Sequence, residues 1–132
     1  MANEVAVKNA VNWFEIPVDN LERAMKFYGT VLGADLQKMD MGISVMAFLP
    51  SSQDAVGGAI VHMKDKNWGY KPGHSGSIVY LNGGDDLSIP LGRVEGAGGK
   101  VITPKVDIGQ GFGHFAFFED TEGNRVGLHS MS

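Results

Sequence analysis

An internal repeat of about half the chain constrains this fold more than any single motif does. Near the N-terminus an alternating segment, residues 13–18, leads into a helical pattern at residues 21–32. Past the midpoint a similar segment, residues 78–82, leads into a shorter helical pattern at residues 89–97. The same order of elements therefore occurs twice in one chain.

Each half closes on an apolar run that carries a histidine. The first run is Ala59 to His62 and the second is Val126 to His129. This order predicts one domain of two β-α-β-β-β modules related by an internal pseudo-twofold axis. We place the first module at about residues 12–63, a linker at about 64–76, and the second module at about 77–130.

Composition limits where the protein works and what it binds. A chain of 132 residues fits one domain with its own core, and it contains no cysteine. Eleven basic and fifteen acidic residues give a net charge of -4 without a basic cluster, which argues against nucleic acid as a partner. Apolar stretches fall short of the roughly 20 residues that span a bilayer. Residues 1–10 lack the apolar centre of a signal peptide, so we predict a cytoplasmic protein with no membrane partner.

Several familiar catalytic motifs are missing from the sequence. Segment 73–77 has Ser77 where a nucleophile elbow needs its last glycine. The glycines of segment 109–113 lack the dinucleotide-binding spacing. There is also no His-Glu-x-x-His sequence and no cysteine-based zinc motif. We interpret the glycines as turn residues of a many-stranded protein.

Two motifs at opposite ends of the repeat resemble one known family. Residues 17–28 have the sequence Pro-Val-Asp-Asn-Leu-Glu-Arg-Ala-Met-Lys-Phe-Tyr, and Leu-Gly follows at 32–33. Residues 115–127 are similar to that family's closing Asp-Pro-x-Gly-Asn hairpin, with Thr121 in place of the proline. Across about residues 12–130 the chain resembles the glyoxalase/bleomycin resistance/dioxygenase superfamily, also called vicinal oxygen chelate proteins.

The resemblance implies a fold and the positions at which metal ligands are expected. The implied fold is α+β, with two tandem βαβββ modules and a curled mixed sheet around a concave cavity. Enzymes of the family hold a divalent metal there through His and Glu side chains on the first and last strands of each module. Aligned residue by residue, those four positions fall on Trp13, Ile78, Ile60 and Gly127, none of which coordinates a metal through its side chain. We therefore expect no cofactor.

Strand alternation predicts which side chains face the cavity. Phe14, Ile16 and Val18 suit the side that faces the helix, which leaves the residues between them for the cavity. Each histidine lies two residues beyond a lost ligand position, so both are expected on that same face. The predicted acid–base or displaced metal cluster is Glu15, His62 and His129, and the predicted ligand-binding residues are Trp13, Tyr80, Asn82 and His114.

Three functions fit these residues. The first, which we favour, is binding of a small molecule in an aromatic cavity without the family's metal. The resemblance implies a planar, often cationic ligand at a dimer interface, as in antibiotic-sequestering members, and Glu15 and the negative net charge suit such a ligand. The second is a metal-dependent lyase or isomerase related to lactoylglutathione lyase, in which a metal held by Glu15, His62 or His129 polarises a carbonyl oxygen. The third is a non-catalytic regulatory domain.

A homodimer is predicted because a half-barrel sheet leaves open strand edges. The histidines also suit plain strand positions, and Trp13 also suits the core.

Overall fold

In the computed structural model, which describes residues 9–132, the helices and strands follow the predicted repeated order. The prediction that residues 1–10 hold no signal peptide concerns mainly residues 1–8, which lie outside the described residues. Within 9–132 no helix is long and apolar enough to cross a membrane. The strands are β1 (Trp13–Pro17), β2 (Gln37–Asp40), β3 (Ser44–Phe48), β4 (Gly57–Met63), β5 (Tyr80–Asn82), β6 (Lys100–Asp107), β7 (His114–Glu119) and β8 (Arg125–Ser130); the helices are α1 (Leu21–Leu32) and α2 (Ser88–Leu91), and a 3-10 turn spans Lys66–Trp68.

The strands form two four-stranded sheets with the same topology. The first sheet has the order β1-β4-β3-β2 and the second has the order β5-β8-β7-β6. In each sheet the first and last strands of the module pair in parallel, and the other pairs are antiparallel. The α+β fold with two βαβββ modules is confirmed. Among the residues that the structure describes, β1 and β5 each pair on one side only, so each is an edge strand there.

Helix α1 begins and ends where the sequence supplies its caps. The side chain of Asn20 accepts a hydrogen bond from the Arg23 N–H at 3.0 Å, which satisfies one free donor of the first turn. Gly33 ends the helix with φ 66°, a left-handed conformation that favours glycine. One face of the helix is buried: Leu21, Ala24, Phe27, Tyr28 and Val31.

Helix α2 is much shorter than the predicted helical segment 89–97. After Leu91 the chain continues as a series of turns, with bonds such as Val94 N–H to Leu91 O at 3.2 Å. Glycines at 92, 96 and 98 explain the difference, because glycine loses the most backbone freedom in a regular helix. Val94 is nevertheless fully buried, so the apolar positions of the pattern still reach the core.

The two sheets share one hydrophobic core, and α1 lies between them. On α1, the rings of Phe27 and Tyr28 lie 5.8 Å and 6.3 Å from the ring of Phe118 on β7, measured between centroids. Ile16 and Ile60 of the first sheet belong to the same core. The opposite side of each sheet, which we call its outer face, therefore points away from this core.

A buried carboxylate joins the two modules outside the apolar core. Glu122, in the turn between β7 and β8, accepts hydrogen bonds from the N–H groups of Asp19 and Asn20 at 3.0 and 2.8 Å. It also accepts two from the Arg23 guanidinium at 2.6 and 2.9 Å. Burial acts to raise the pKa of Glu122, but the hydrogen bonds from Arg23, Asn20 and Thr121 and the charge of Arg23 outweigh it and hold the pKa below its usual value.

We expect Glu122→Gln to lower the free energy of unfolding by about 2 kcal/mol at neutral pH, because hydrogen bonds to a charged group contribute about 1.5 to 3 kcal/mol. Folding lowers the pKa of this carboxyl. Its contribution is therefore present above the unfolded-state pKa of about 4.3 and is lost as the pH falls through the folded-state pKa. Urea denaturation of wild type and variant should thus converge only once the pH has fallen below the lowered folded-state pKa.

Glu22→Gln is the matched control for this measurement. Glu22 is an exposed carboxylate that pairs with Lys38 at 2.6 Å, and exposed ion pairs contribute about 0 to 1 kcal/mol. Equal losses for Glu122→Gln and Glu22→Gln would contradict a special role for the buried carboxylate.

Candidate functional site

The outer face of the second sheet gathers most of the predicted ligand-binding residues. Leu81 and Leu128 belong to the core, so their neighbours Tyr80, Asn82 and His129 point to the outer face. Tyr80 pairs with Gly127, and Asn82 pairs with His129. The strand alternation therefore predicts these placements correctly, while the binding roles of the three side chains stay predictions.

The prediction that His114 points into the cavity is wrong. His114 pairs with Ser130 and lies on the core side, where Ala116 and Phe118 are fully buried. Its Nδ1 is buried without a hydrogen-bond partner among the described residues. The alternate residues Phe115 and Phe117 occupy the outer face instead. Residues 115–118 are apolar at every position, so the pattern gave no alternation from which to choose the face.

The predicted placement of His62 is also wrong. In the parallel pair of β1 and β4, Glu15 lies beside Ala59, and Ile16 lies beside Ile60. Because Ile60 is in the shared core, His62, two residues further on, lies on the core side of the first sheet. Its Nδ1 lies 3.2 Å from the carbonyl oxygen of Val18, so the ring donates a hydrogen bond there.

Two equivalent backbone bonds show why the histidines are not symmetry mates. The Val18 N–H donates to Val61 O at 2.9 Å, and the Gly83 N–H donates to His129 O at 2.7 Å. His129 therefore corresponds to Val61, one residue before His62. By the same shift, the first-module counterpart of Gly127 is Ala59, not Ile60. The methyl group of Ala59 is likewise unable to coordinate a metal.

Glu15 and Trp13 lie on the outer face of the first sheet. Trp13 is 43% exposed, and its Nε1 donates to one carboxylate oxygen of Glu15 at 3.1 Å. The Tyr70 hydroxyl, from the linker, donates to the other oxygen. The hydrogen bond to Glu15 raises the pKa of Tyr70, with smaller contributions from burial and from the carboxylate charge. Trp13 also packs edge-on against Phe48, with ring centroids 6.1 Å apart.

The predicted cluster of Glu15, His62 and His129 does not form within this chain. The three side chains lie on the outer face of the first sheet, its core side, and the outer face of the second sheet. In residues 9–132, no three His, Asp or Glu side chains come close enough together to hold a metal ion.

A cleft of about 880 Å³ lies on the outer face of the second sheet. It is bounded by β5 and β8 on one side and by the loop between β6 and β7 on the other. The lining is aromatic and aliphatic with few polar groups, which is typical of small-molecule sites. The lining residues are Tyr80, Asn82, Gly84, Ile108, Phe112, Phe115, His129, Ser130 and Met131.

The ring of Tyr80 lies directly over Gly127. A Cβ atom on Gly127 would come within 2.6 to 3.1 Å of three ring atoms of Tyr80, closer than van der Waals contact permits. Tyr80 lies 5.8 Å from Phe117, and Phe117 lies 5.3 Å from Phe115, between ring centroids. We call these three side chains, Tyr80, Phe117 and Phe115, the aromatic wall. Sequence reasoning missed the two phenylalanines.

His129 lines the cleft and contacts the loop that bounds it. Its Nε2 lies 2.7 Å from the carbonyl oxygen of Phe112, and a carbonyl only accepts, so Nε2 carries the hydrogen. Nδ1 of the neutral ring is then an acceptor. Phe112 lies in a loop where Gly109, Gln110 and Gly111 all have positive φ. The left-handed backbone at these positions brings the loop back over the strand end.

The sequence matches the family model of the Glyoxalase/Bleomycin resistance protein/Dioxygenase superfamily over residues 10–128. The chain therefore belongs to this superfamily. It is 31% identical over 114 residues to a glyoxylase-like domain-containing protein of Didymella fabae, a match that covers 86% of this chain and 88% of that protein.

Two solved structures share the fold. The antibiotic-binding protein TnmS3 from Streptomyces sp. CB03234 matches with a TM-score of 0.64 and 24% identity, over 98% of this chain and all of that one. Glyoxalase I from Zea mays matches with a TM-score of 0.63 and 21% identity, over 90% of this chain and 43% of the maize chain. The chain thus spans less than half the length of the maize enzyme.

The residues at the superfamily's metal-ligand positions do not fit a divalent metal. With the corrected register these positions hold Trp13, Ile78, Ala59 and Gly127, which offer no side-chain donor of the required kind. Above Gly127, where a glutamate side chain would extend, lies the ring of Tyr80. An aromatic ring thus takes the volume that a coordinating carboxylate would need.

Gly127→Ala should lower the free energy of unfolding by about 1 kcal/mol, because the new methyl group overlaps the Tyr80 ring and forces it away. In a Tyr80→Ala background the same change should be neutral or slightly stabilising, since alanine is favoured over glycine in a strand. Urea denaturation of the four proteins gives the coupling between the two positions. The same cost in both backgrounds would show that the ring does not lie over Gly127.

Proposed function

We propose that this protein binds a planar small molecule on the aromatic wall, without a metal ion. The observation that carries this proposal is the ring of Tyr80 over Gly127, because it places a stacking surface where metal-dependent relatives need a ligand. Aromatic rings in offset or edge contact stabilise each other by about 0.5 to 1.5 kcal/mol beyond the area they bury. A planar ligand gains the same kind of contact with Tyr80, Phe117 and Phe115.

Polar groups at the edge of the wall would fix the ligand's orientation. The acceptor Nδ1 of His129 suits a hydroxyl or N–H group on the ligand. The Asn82 side-chain oxygen already accepts a hydrogen bond from the Gly84 N–H at 2.9 Å, which leaves its NH₂ group as a donor. The cleft of about 880 Å³ is within the range of pockets that enclose small ligands, about 300 to 1,000 Å³.

The site is completed, in this proposal, by a second copy of the chain. In one chain the outer faces carry the exposed rings of Trp13 and Tyr80, and among residues 9–132 β1 and β5 are each unpaired on one side. The outer face of the first sheet carries half-exposed Trp13, which would otherwise leave a large apolar surface in water. A homodimer that brings this face over the partner's aromatic wall would cover both surfaces. The Glu15 carboxylate would then lie at the rim of the cavity.

A metal-dependent lyase or isomerase has less support. That function needs Glu15, His62 and His129 around one ion, and His62 lies on the core side of its sheet. A regulatory domain without a ligand leaves the aromatic wall without a role. Both alternatives are outcomes of the experiments below.

The purified protein should contain far less than one divalent metal per chain by elemental analysis. It should bind the neutral planar dye N-phenylnaphthylamine equally well before and after treatment with a chelator. Tyr80→Ala should weaken this binding roughly five- to tenfold, which corresponds to the loss of about 1 kcal/mol of stacking. Trp68→Ala is the control, because Trp68 is a 58% exposed aromatic outside the cleft.

Two results would contradict the proposal. The first is a stoichiometric metal that is lost on His129→Ala, which would favour the enzyme. The second is dye affinity that Tyr80→Ala leaves unchanged, which would remove the aromatic wall from the site.

In dilute solution the protein should have twice the 14.1 kDa mass of one chain. Trp13→Ala should shift this equilibrium toward the monomer while lowering the free energy of unfolding by only about 1 kcal/mol, since the indole is half-exposed. A core tryptophan would cost about 3 to 5 kcal/mol. Ile89→Ala removes an apolar side chain that is 59% exposed on α2, and it should leave the mass unchanged. A wild-type monomer at all concentrations would exclude the dimer.

A further inference from the structure

We infer that the ligand carries an anionic group, a carboxylate or a group of similar chemistry, which pairs with Arg125 at one end of the aromatic wall. This inference rests on the proposed function, because it names the chemical class of the molecule that the wall binds. It adds a residue, Arg125, that sequence reasoning did not single out.

Arg125 lies on the same outer face as the wall. It is two residues before Gly127 on β8, so its side chain lies on the face over which the Tyr80 ring packs. Its guanidinium carbon is 6.0 Å from the centre of the Phe117 ring. Phe117 in turn lies 5.8 Å from Tyr80. A planar molecule stacked on Phe117 would thus lie close to the positive charge of Arg125.

The charge of Arg125 has no acidic partner among the described residues. Its Nε is buried and makes no hydrogen bond there. The nearest candidate in register is Glu119, directly across on β7, but the Glu119 carboxylate pairs with Nε2 of His74 at 2.7 Å. A covered guanidinium N–H without an acceptor costs free energy, and an anionic ligand that meets the same guanidinium recovers interaction energy at this point.

A second permanent cation, Lys100, lies two strands away from Arg125. Lys100 on β6 pairs in register with Glu119, which places it on the same outer face. Arg125 and Lys100 share this end of the face with two carboxylates: His74 contacts Glu119 at 2.7 Å, and Glu95 accepts a hydrogen bond from the Val101 N–H beside Lys100 at 3.5 Å. The Arg125 guanidinium still has a buried N–H without an acceptor among the described residues, and this favours an anion at this end of the wall.

The chemistry of the arginine side chain narrows the class of anion further. Arginine presents parallel N–H groups in a rigid plane that matches the two oxygens of a carboxylate, sulfonate or phosphate. Because the guanidinium carbon is 6.0 Å from the centre of the Phe117 ring, the anion it pairs with lies beside that ring. The expected ligand class is therefore a planar aromatic molecule with an acidic substituent on its edge.

Two dyes that differ in one group test this inference. Anilinonaphthalene sulfonate carries a sulfonate, and N-phenylnaphthylamine has the same ring system without it. Arg125→Gln should weaken binding of the sulfonate dye about tenfold, equivalent to about 1.4 kcal/mol, and change binding of the neutral dye less than about twofold. Lys26→Gln removes one exposed positive charge from α1, far from the wall, and controls for the change in net charge.

The outcomes separate the two proposals. If Arg125→Gln weakens both dyes alike, Arg125 supports the shape of the wall and the anion site is refuted. If it weakens neither dye, or if Lys26→Gln has the same effect, the anion site is also refuted. Failure of the wild-type protein to bind either dye would contradict the proposed function itself. The sulfonate dye's advantage in the wild-type protein should also fall as salt is added, since an exposed ion pair is screened.

Discussion

The position of α1 between the two sheets is the constraint on which the rest of this structure depends. Phe27 and Tyr28 supply apolar surface to a core that both sheets share, and Phe118 meets them from the second module. The Glu122 carboxylate, from the turn between β7 and β8, adds a charged contact with the start of α1 and so joins the two modules. Because the shared core occupies the inner side of each sheet, the exposed rings of Trp13 and Tyr80 lie on the outer faces. The location of the cleft is thus a direct result of how the helix packs.

Much of this arrangement could be predicted from the sequence, and the errors have a common cause. In β1 the apolar residues alternate with others, so the faces of Trp13 and Glu15 follow from the pattern. In β4 and β7 the residues are small or apolar on both sides, because both strands lie inside their sheets. Without alternation a register error of one residue is easily made, and it moved His62 and His114 to the wrong face. Both ends of α1 could be predicted, because the residues that cap it, Asn20 and Gly33, lie next to the helix in the sequence.

Gly127 is one of four positions at which the proposed site differs from that of metal-dependent relatives. Gly127 removes a potential ligand, and it also provides the room into which Tyr80 folds. In the proposed site an aromatic ring thereby lies where metal-dependent relatives have a polar side chain. The superfamily supports many activities on one fold, and this replacement shows physically how such a change is made. On the outer face of the second sheet, the positive charge of Arg125 lies at one end of the aromatic wall rather than at its centre.

The separation of the core from the outer face also determines how freely the protein can change. Tyr80 is half-exposed, and Phe117 and Arg125 are not in the shared core, so substitutions there leave the packing around Phe27 and Tyr28 intact. Natural proteins have only about 5 to 15 kcal/mol of stability to lose, and most changes to a core consume part of it. A binding surface built apart from the core can therefore acquire a new specificity in small steps. The evolutionary range of this fold is then limited by the chemistry of its outer face more than by its stability.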